Sequence, residues 1–183
     1  MIRPNSMFYQ SRRINFIFKN ILIFLLLLIT FRIFFFLFFN SSSENYTILM
    51  LLKAFFIGIK FDLRLAVLLC FPHMILSLFP YANISNSVLM KQLSKLYNYI
   101  VITILLLFYS VDYGHYSYLG RRVDVSVLRF LENPEISLQM IWESYPVILI
   151  LFILTLVFIG FKLLFELSYS ILSTNRKILL LRN

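Results

Sequence analysis

Runs of Phe, Leu and Ile that approach 20 residues recur along this chain and leave it few choices of fold. A helix rising about 1.5 Å per residue needs that length to cross roughly 30 Å of hydrocarbon. Inside a bilayer each backbone N–H and C=O must be satisfied within the protein, so such runs fold as helices. With 61% of its residues hydrophobic and 14% charged, a 183-residue chain lacks the polar surface to clothe a soluble domain. The sequence therefore reads as an all-α, polytopic membrane protein.

Four transmembrane helices are predicted, at about residues 14–39, 61–79, 99–116 and 146–167. The stretch 47–79 is too long for one perpendicular crossing. Its division is expected at Gly58 to Arg64, which yields an interfacial helix at about 48–59 ahead of the second span. Pro72 removes a backbone donor and predicts a kink in that span, and Pro80 helps to end it. A second interfacial helix is expected at about 122–144, where Val123, Val127, Leu128 and Leu131 share a helical face against Asp124, Arg129 and Glu132. Within it, Asn133-Pro134-Glu135 has the pattern of a helix start: a cap, a proline in the first position and an acid in the first turn. Trp142 and Tyr145 then fall where an aromatic belt marks the membrane boundary. Residues 40–45 and 81–98 read as polar connectors, and Ser168 to Asn183 as a short tail. The whole is one membrane domain with no soluble catalytic domain and no internal repeat.

Charge placement orients the spans. Arg3, Arg12, Arg13 and Lys19 precede the first span, whose apolar run is too long for a cleaved signal and is followed by no small-residue cleavage site. Lys91 and Lys95 fall in the second connector, and Arg176, Lys177 and Arg182 in the tail. None of these segments holds an acidic residue, so the lysine and arginine bias puts both termini in the cytoplasm. The outer loop between the third and fourth spans is mixed, with Arg121, Arg122 and Arg129 against Asp124, Glu132, Glu135 and Glu143. A net charge of +9 spread over span ends, rather than gathered in one patch, argues against nucleic acid as a partner. The single cysteine, Cys70, sits in an apolar run and reads as a small hydrophobe. No zinc spacing, P-loop, dinucleotide turn or nucleophile elbow is present.

Ionisable groups inside spans are costly and mark candidate sites. Counted from the cytoplasmic side, Asp62 and Asp112 lie about 26 Å and 20 Å deep, and Arg32 lies about 11 Å below the outer end of its span. Lys60, Arg64, His115, Arg121 and Arg122 fall near the same outer boundary. Two readings stay open. In one, Asp62 and Asp112 neutralise Arg32 or Arg64 in structural pairs. In the other, Lys60, Arg64, Arg121 and Arg122 line a shallow basic pocket for an anionic phospholipid headgroup, because the arginine fork suits phosphate oxygens. Elsewhere, His73 is expected to serve backbone groups freed by Pro72, and Lys162 and Glu166 to pair along one helix face.

The stretch from Lys53 to Arg64 (KAFFIGIKFDLR), followed by the span with Pro72, resembles the N-terminal membrane region of bacterial lipoteichoic-acid-synthase-like proteins. Val111-Asp112-Tyr113-Gly114-His115-Tyr116, Arg121-Arg122-Val123-Asp124 and Glu143-Ser144-Tyr145-Pro146-Val147 are similar to later landmarks of that region. Those proteins are sulfatase-like phosphoglycerol transferases of the alkaline-phosphatase superfamily. The resemblance implies a multi-pass protein of the bacterial inner membrane, in which five spans precede an extracytoplasmic domain with a threonine nucleophile and a divalent metal, commonly manganese. No residue here matches that catalytic motif, so no catalytic residue, metal ligand or cofactor is expected in this chain. Ile178-Leu179-Leu180-Leu181 reads as the beginning of a fifth span, and the expectation is a truncated, non-catalytic anchor that faces lipid. The alternatives are a small standalone transport protein, with Asp62, Asp112 and His115 as its polar pathway, or an assembly subunit that packs its Phe-rich spans against a membrane-protein partner.

Overall fold

The computed structural model describes the backbone of residues 4–39, 47–78, 87–125, 127 and 132–180, and the side chains of residues 14–39, 47–78, 87–125, 127 and 132–170. The polar turn at 40–45, Phe79 and Pro80, the connector residues Leu128, Arg129 and Leu131, and the side chains of Arg3, Arg12, Arg13, Arg176, Lys177 and Arg182 lie outside the described residues.

Among the described residues five α-helices follow one another: α1 (Pro4–Phe39), α2 (Ile48–Leu78), α3 (Val88–Leu119), α4 (Pro134–Ser144) and α5 (Val147–Leu180). Three segments, Ile14–Phe39, Val88–Leu119 and Val147–Ser170, are long and apolar enough to cross a membrane. The protein is thus all-α and membrane-embedded in several passes. Leu37, Phe38, Leu68, Leu107, Phe152 and Leu163 are exposed to the surroundings, as lipid-facing side chains are.

Helix boundaries depart from the sequence-based expectation in four places, each for a local reason. α2 is continuous from Ile48 to Leu78, with no division at Gly58. One glycine costs a helix only about 1 kcal/mol, and within a bilayer the backbone must stay hydrogen-bonded to itself. α3 begins at Val88, so Lys91 and Lys95 belong to its first turns rather than to a connector. α5 continues to Leu180, through the expected tail, because nothing after Ser168 breaks a helix. Between α3 and α5 the expected interfacial helix is α-helical only over Pro134–Ser144, which is α4, among the described residues. There, Gly120 adopts φ +66 at the end of α3, and its N–H reaches the carbonyl of Tyr116 at 2.9 Å. This left-handed turn, open to glycine without steric cost, closes the helix. The start of α4 follows the expected pattern, with Asn133 at the cap position, Pro134 first and Glu135 in the first turn, although the Asn133 side chain makes no capping bond.

Residues 1–101 and 161–183 form one compact unit, and residues 102–160 a second. In the first unit α1 presents Phe16, Asn20, Phe24, Leu27, Leu28 and Phe31 as a buried stripe. Their spacing of three and four places them on one helix face. α2 packs along that helix with Ala66 and Cys70, and α5 contributes Phe161, Phe165 and Tyr169. Phe16 meets Tyr169 while Phe24 meets Phe165, both with ring centroids 5.0 Å apart, so α1 and α5 run antiparallel. The second unit is more open: Ile102, Leu106, Asp112 and His115 of α3 are buried, whereas Ile148, Leu149, Leu151 and Phe152 of α5 are exposed.

Candidate functional site

Arg32 and Asp62 form the ion pair that joins α1 to α2. Nε and Nη2 of Arg32 each donate to one carboxylate oxygen of Asp62 at 2.7 Å, the bidentate geometry natural to a planar guanidinium. Nη2 also approaches the carbonyl of Gly58 at 3.3 Å. The guanidinium lies directly across Gly58, where a Cβ would meet Nη1 at 2.4 Å. Gly58 and Asp62 are one turn apart on α2, so together they form a seat for the arginine. Lys60 and Arg64 stand about 200° round the helix from Asp62. Both are exposed; the Lys60 ammonium lies 4.4 Å from the Phe56 ring and the Arg64 guanidinium 5.5 Å from the Phe61 ring. The structure therefore joins Asp62 to Arg32 and leaves Lys60 and Arg64 on the other face of α2.

This seat predicts a reversal of sign. Gly58→Ala gains up to about 1 kcal/mol of helix propensity but forces the guanidinium off Asp62, so in the wild-type background it is expected to be neutral or destabilising. In an Arg32→Leu background, with the seat vacated, the same substitution is expected to stabilise by about 0.5–1 kcal/mol. Thermal unfolding of the four variants in detergent measures it.

In the second unit a different carboxylate clamps a loop. Asp112 accepts Arg122 Nε at 3.1 Å and Nη2 at 2.6 Å through Oδ2, and the backbone N–H of Val123 at 3.1 Å through Oδ1. One turn further along α3, His115 bonds through Nδ1 to the carbonyl of Arg121 at 2.9 Å. A carbonyl only accepts, so Nδ1 carries the proton. Asp112 and His115 thus hold consecutive backbone positions of the loop that Gly120 turns back over the helix end. The Arg121 and Arg122 side chains stay 60% and 54% exposed, Arg122 held by the buried Asp112 and Arg121 beside the exposed Asp124. Tyr145 Oη donates to the carbonyl of Gly114 at 3.0 Å and ties the approach to α5 to the same turn of α3.

A third cluster, absent from the sequence-based expectation, lies at the other end of α1 from Arg32. His73 Nε2 and Ser94 Oγ are 2.7 Å apart, Ser94 Oγ and Tyr169 Oη 2.6 Å, and Asn98 Nδ2 donates to Tyr169 Oη at 3.1 Å. The Asn98 amide can only donate, which orders the chain. Tyr169 accepts from Asn98 and donates to Ser94, and Ser94 donates to His73. The reverse order would leave the tyrosine proton without an acceptor. It is Tyr97, not His73, that serves the backbone near Pro72: its hydroxyl donates to the carbonyl of Leu69 at 2.8 Å. Beside this chain, Glu166 pairs with Lys95 and accepts the Tyr99 hydroxyl at 2.5 Å, rather than meeting Lys162 along its own helix. Lys162 lies 5.7 Å from the Tyr99 ring instead. Around the cluster both polar atoms of Asn20, His73 Nδ1, Asn98 Oδ1 and Ser168 Oγ are buried without a protein partner. Each such orphan in a dry interior costs about 1–3 kcal/mol.

Among the described residues no group of three or more His, Cys, Asp or Glu is arranged to hold a metal ion. No family model, curated protein or solved structure matches the chain. Helix lengths, apolar exteriors and buried ion pairs define it as a polytopic α-helical membrane protein, in general contact with lipid.

Proposed function

We propose that this chain is a lipid-facing membrane anchor of the kind found in sulfatase-like phosphoglycerol transferases, without catalysis of its own, and that the Arg121–Arg122 loop is its contact with an anionic phospholipid headgroup. The geometry of that loop carries the reading. Its two guanidinium groups are exposed, while Asp112 and His115, both buried, fix the backbone beneath them. Such preorganisation lets planar donors meet phosphate oxygens with little ordering cost. Within the same unit an open, mainly apolar groove of about 580 Å³ has Trp142, Tyr145 and Phe152 among its walls, suited to the boundary between headgroups and acyl chains. The link to phosphoglycerol transferases rests on the sequence resemblance alone.

The reading includes four crossings with both termini in the cytoplasm of a bacterial inner membrane. α2 supports its own place as the fourth, since it meets α1 at Arg32–Asp62 and again at Phe16–His73, ring centroids 6.0 Å apart. Sixteen residues of α1, about 24 Å, separate those contacts. On α2 the same two contacts lie about 16 Å apart, so α2 accompanies α1 through the middle of its depth, which favours a crossing. A solute pathway through Asp62, Asp112 and His115 has less behind it, because arginines already saturate both carboxylates.

Trp142 is the sole tryptophan and reports on this surface. In nanodiscs, brominated phosphatidylglycerol is expected to quench its fluorescence several-fold more, mole for mole, than brominated phosphatidylcholine. Arg121→Ala/Arg122→Ala should abolish the preference. Equal quenching by the two lipids in the wild-type protein would remove the basis for the headgroup contact.

A further inference from the structure

The buried polar groups where α1, α2, α3 and α5 meet have a use outside the lipid reading. Asn20 lies on α1 one turn from Phe16 and one turn from Phe24, which face Tyr169 and Phe165 of α5. It therefore faces α5 at the level of Ser168, which sits between those two aromatics. His73 reaches the same place from α2, in edge contact with Phe16, and Asn98 reaches it from α3 through Tyr169. Four helices thus deliver unpartnered polar atoms to one level of the first unit. Asn20 and Asn98 are fully buried, and His73 and Ser168 are 1% and 5% exposed.

The donors and acceptors balance. The order of the hydroxyl chain makes His73 Nδ1 an N–H donor, and the Asn20 amide and Ser168 hydroxyl add further donors. Asn20 Oδ1, Asn98 Oδ1 and the Ser168 oxygen are acceptors. No formal charge stands among these five atoms, which disfavours a bound ion. A buried set with both hydrogen-bonding senses suits the molecule that donates twice and accepts twice. Protein interiors use water in this way, each molecule making about three hydrogen bonds to otherwise unsatisfied groups. Helices in membranes likewise recruit ordered water where backbone or side-chain polarity exceeds what neighbours can satisfy.

We infer that this junction is a hydration site: a small cluster of internal water that joins Asn20 of α1 and Ser168 of α5 to the His73–Ser94–Tyr169–Asn98 chain. The four helices are then coupled by exchangeable hydrogen bonds rather than by dry packing. His73, though buried, keeps a proton path through water at Nδ1. The site is distinct from the Arg121–Arg122 loop and does not depend on it.

X-ray pulse radiolysis tests the assignment, because hydroxyl radicals born from bound water label the side chains beside it. Tyr169 and Phe16 are expected to be modified several-fold faster than Phe31 and Phe161, which are also buried but lie about two turns or more from Asn20 and Ser168. A short mixing pulse of heavy-oxygen water before exposure should leave part of the label on Tyr169 unexchanged, as slowly exchanging site water requires. Labelling of all four aromatics at one rate, or complete exchange within the pulse, would overturn the inference. Asn20→Leu supplies the second arm, read as melting temperature and Tyr169 labelling. Loss of a water-linked amide lowers both, whereas loss of an unsatisfied one raises the melting temperature and leaves labelling unchanged. Should that variant fail to fold, labelling of the wild-type protein decides by itself.

Discussion

Asp62→Ala is expected to destabilise the protein by up to about 3–5 kcal/mol, the cost of leaving the partly buried Arg32 charge in an apolar span without its partner. Arg32 lies within an apolar span, and both its Nε and Nη2 end on Asp62. With the carboxylate gone, the guanidinium loses both of those bonds while its positive charge stays within a low-dielectric surround. Asp62→Asn should cost less, since an amide oxygen still accepts one of the two bonds. The informative companion is the double variant Arg32→Leu/Asp62→Leu, which is expected to recover most of the stability, because a well-packed apolar pair often matches a buried ion pair. Denaturant titration in detergent, followed by circular dichroism, measures all three. A loss below about 1 kcal/mol for Asp62→Ala would mean that Arg32 reaches the headgroup layer by snorkelling and does not need its partner.

The second large effect is expected at Asp112. Its carboxylate is buried and accepts three bonds, two from Arg122 and one from the backbone of Val123. Hydrogen bonds to charged groups contribute about 1.5–3 kcal/mol each. Half-exposure of Arg122 lowers its share, so Asp112→Ala is expected to cost about 2–4 kcal/mol in total. Asp112→Asn keeps an acceptor for Val123 and should cost roughly half as much. The functional consequence separates this site from the first. Loosening the loop should weaken the preference of Trp142 quenching for anionic lipid even in Asp112→Asn, while Asp62→Asn leaves that preference intact. Unfolding titrations and the quenching assay on the same preparations distinguish a positioning role from a loss of fold.

Much of this architecture is visible in the residues themselves. Apolar length alone locates α1, α3 and α5, and the capping pattern at Asn133 locates the start of α4. A carboxylate inside a span announces a partner, and Asp62 with Arg32 was among the pairings that chemistry permits. The elements that composition misplaces share one cause. Polar residues were read as ends of helices, whereas in α3 they mark an inward face. Ser94, Lys95, Asn98 and Tyr99 recur at spacings of three to five on the helix that also bears Val101 and Ile102. That periodicity was available as a signal, but the lysines and asparagine pointed to a connector. Ser168 and Tyr169 read as tail residues for the same reason, which hides the partners of His73 and Asn98. The Lys95–Glu166 pair joins residues 71 positions apart, so no local rule could prefer it over Lys162–Glu166. Gly58 is a related case. A glycine in a helix reads as weakness until the guanidinium that occupies its missing side chain is seen.

The seat of Arg32 also bears on how the chain is made. Synthesis delivers the arginine 30 residues before the aspartate that neutralises it. A lone arginine in the second half of a nascent span resists release from the insertion machinery into lipid by up to about 2.5–3.5 kcal/mol. The first hydrophobic segment therefore gains from waiting beside the translocon until the next arrives, so that both leave together as a hairpin with the charge already quenched.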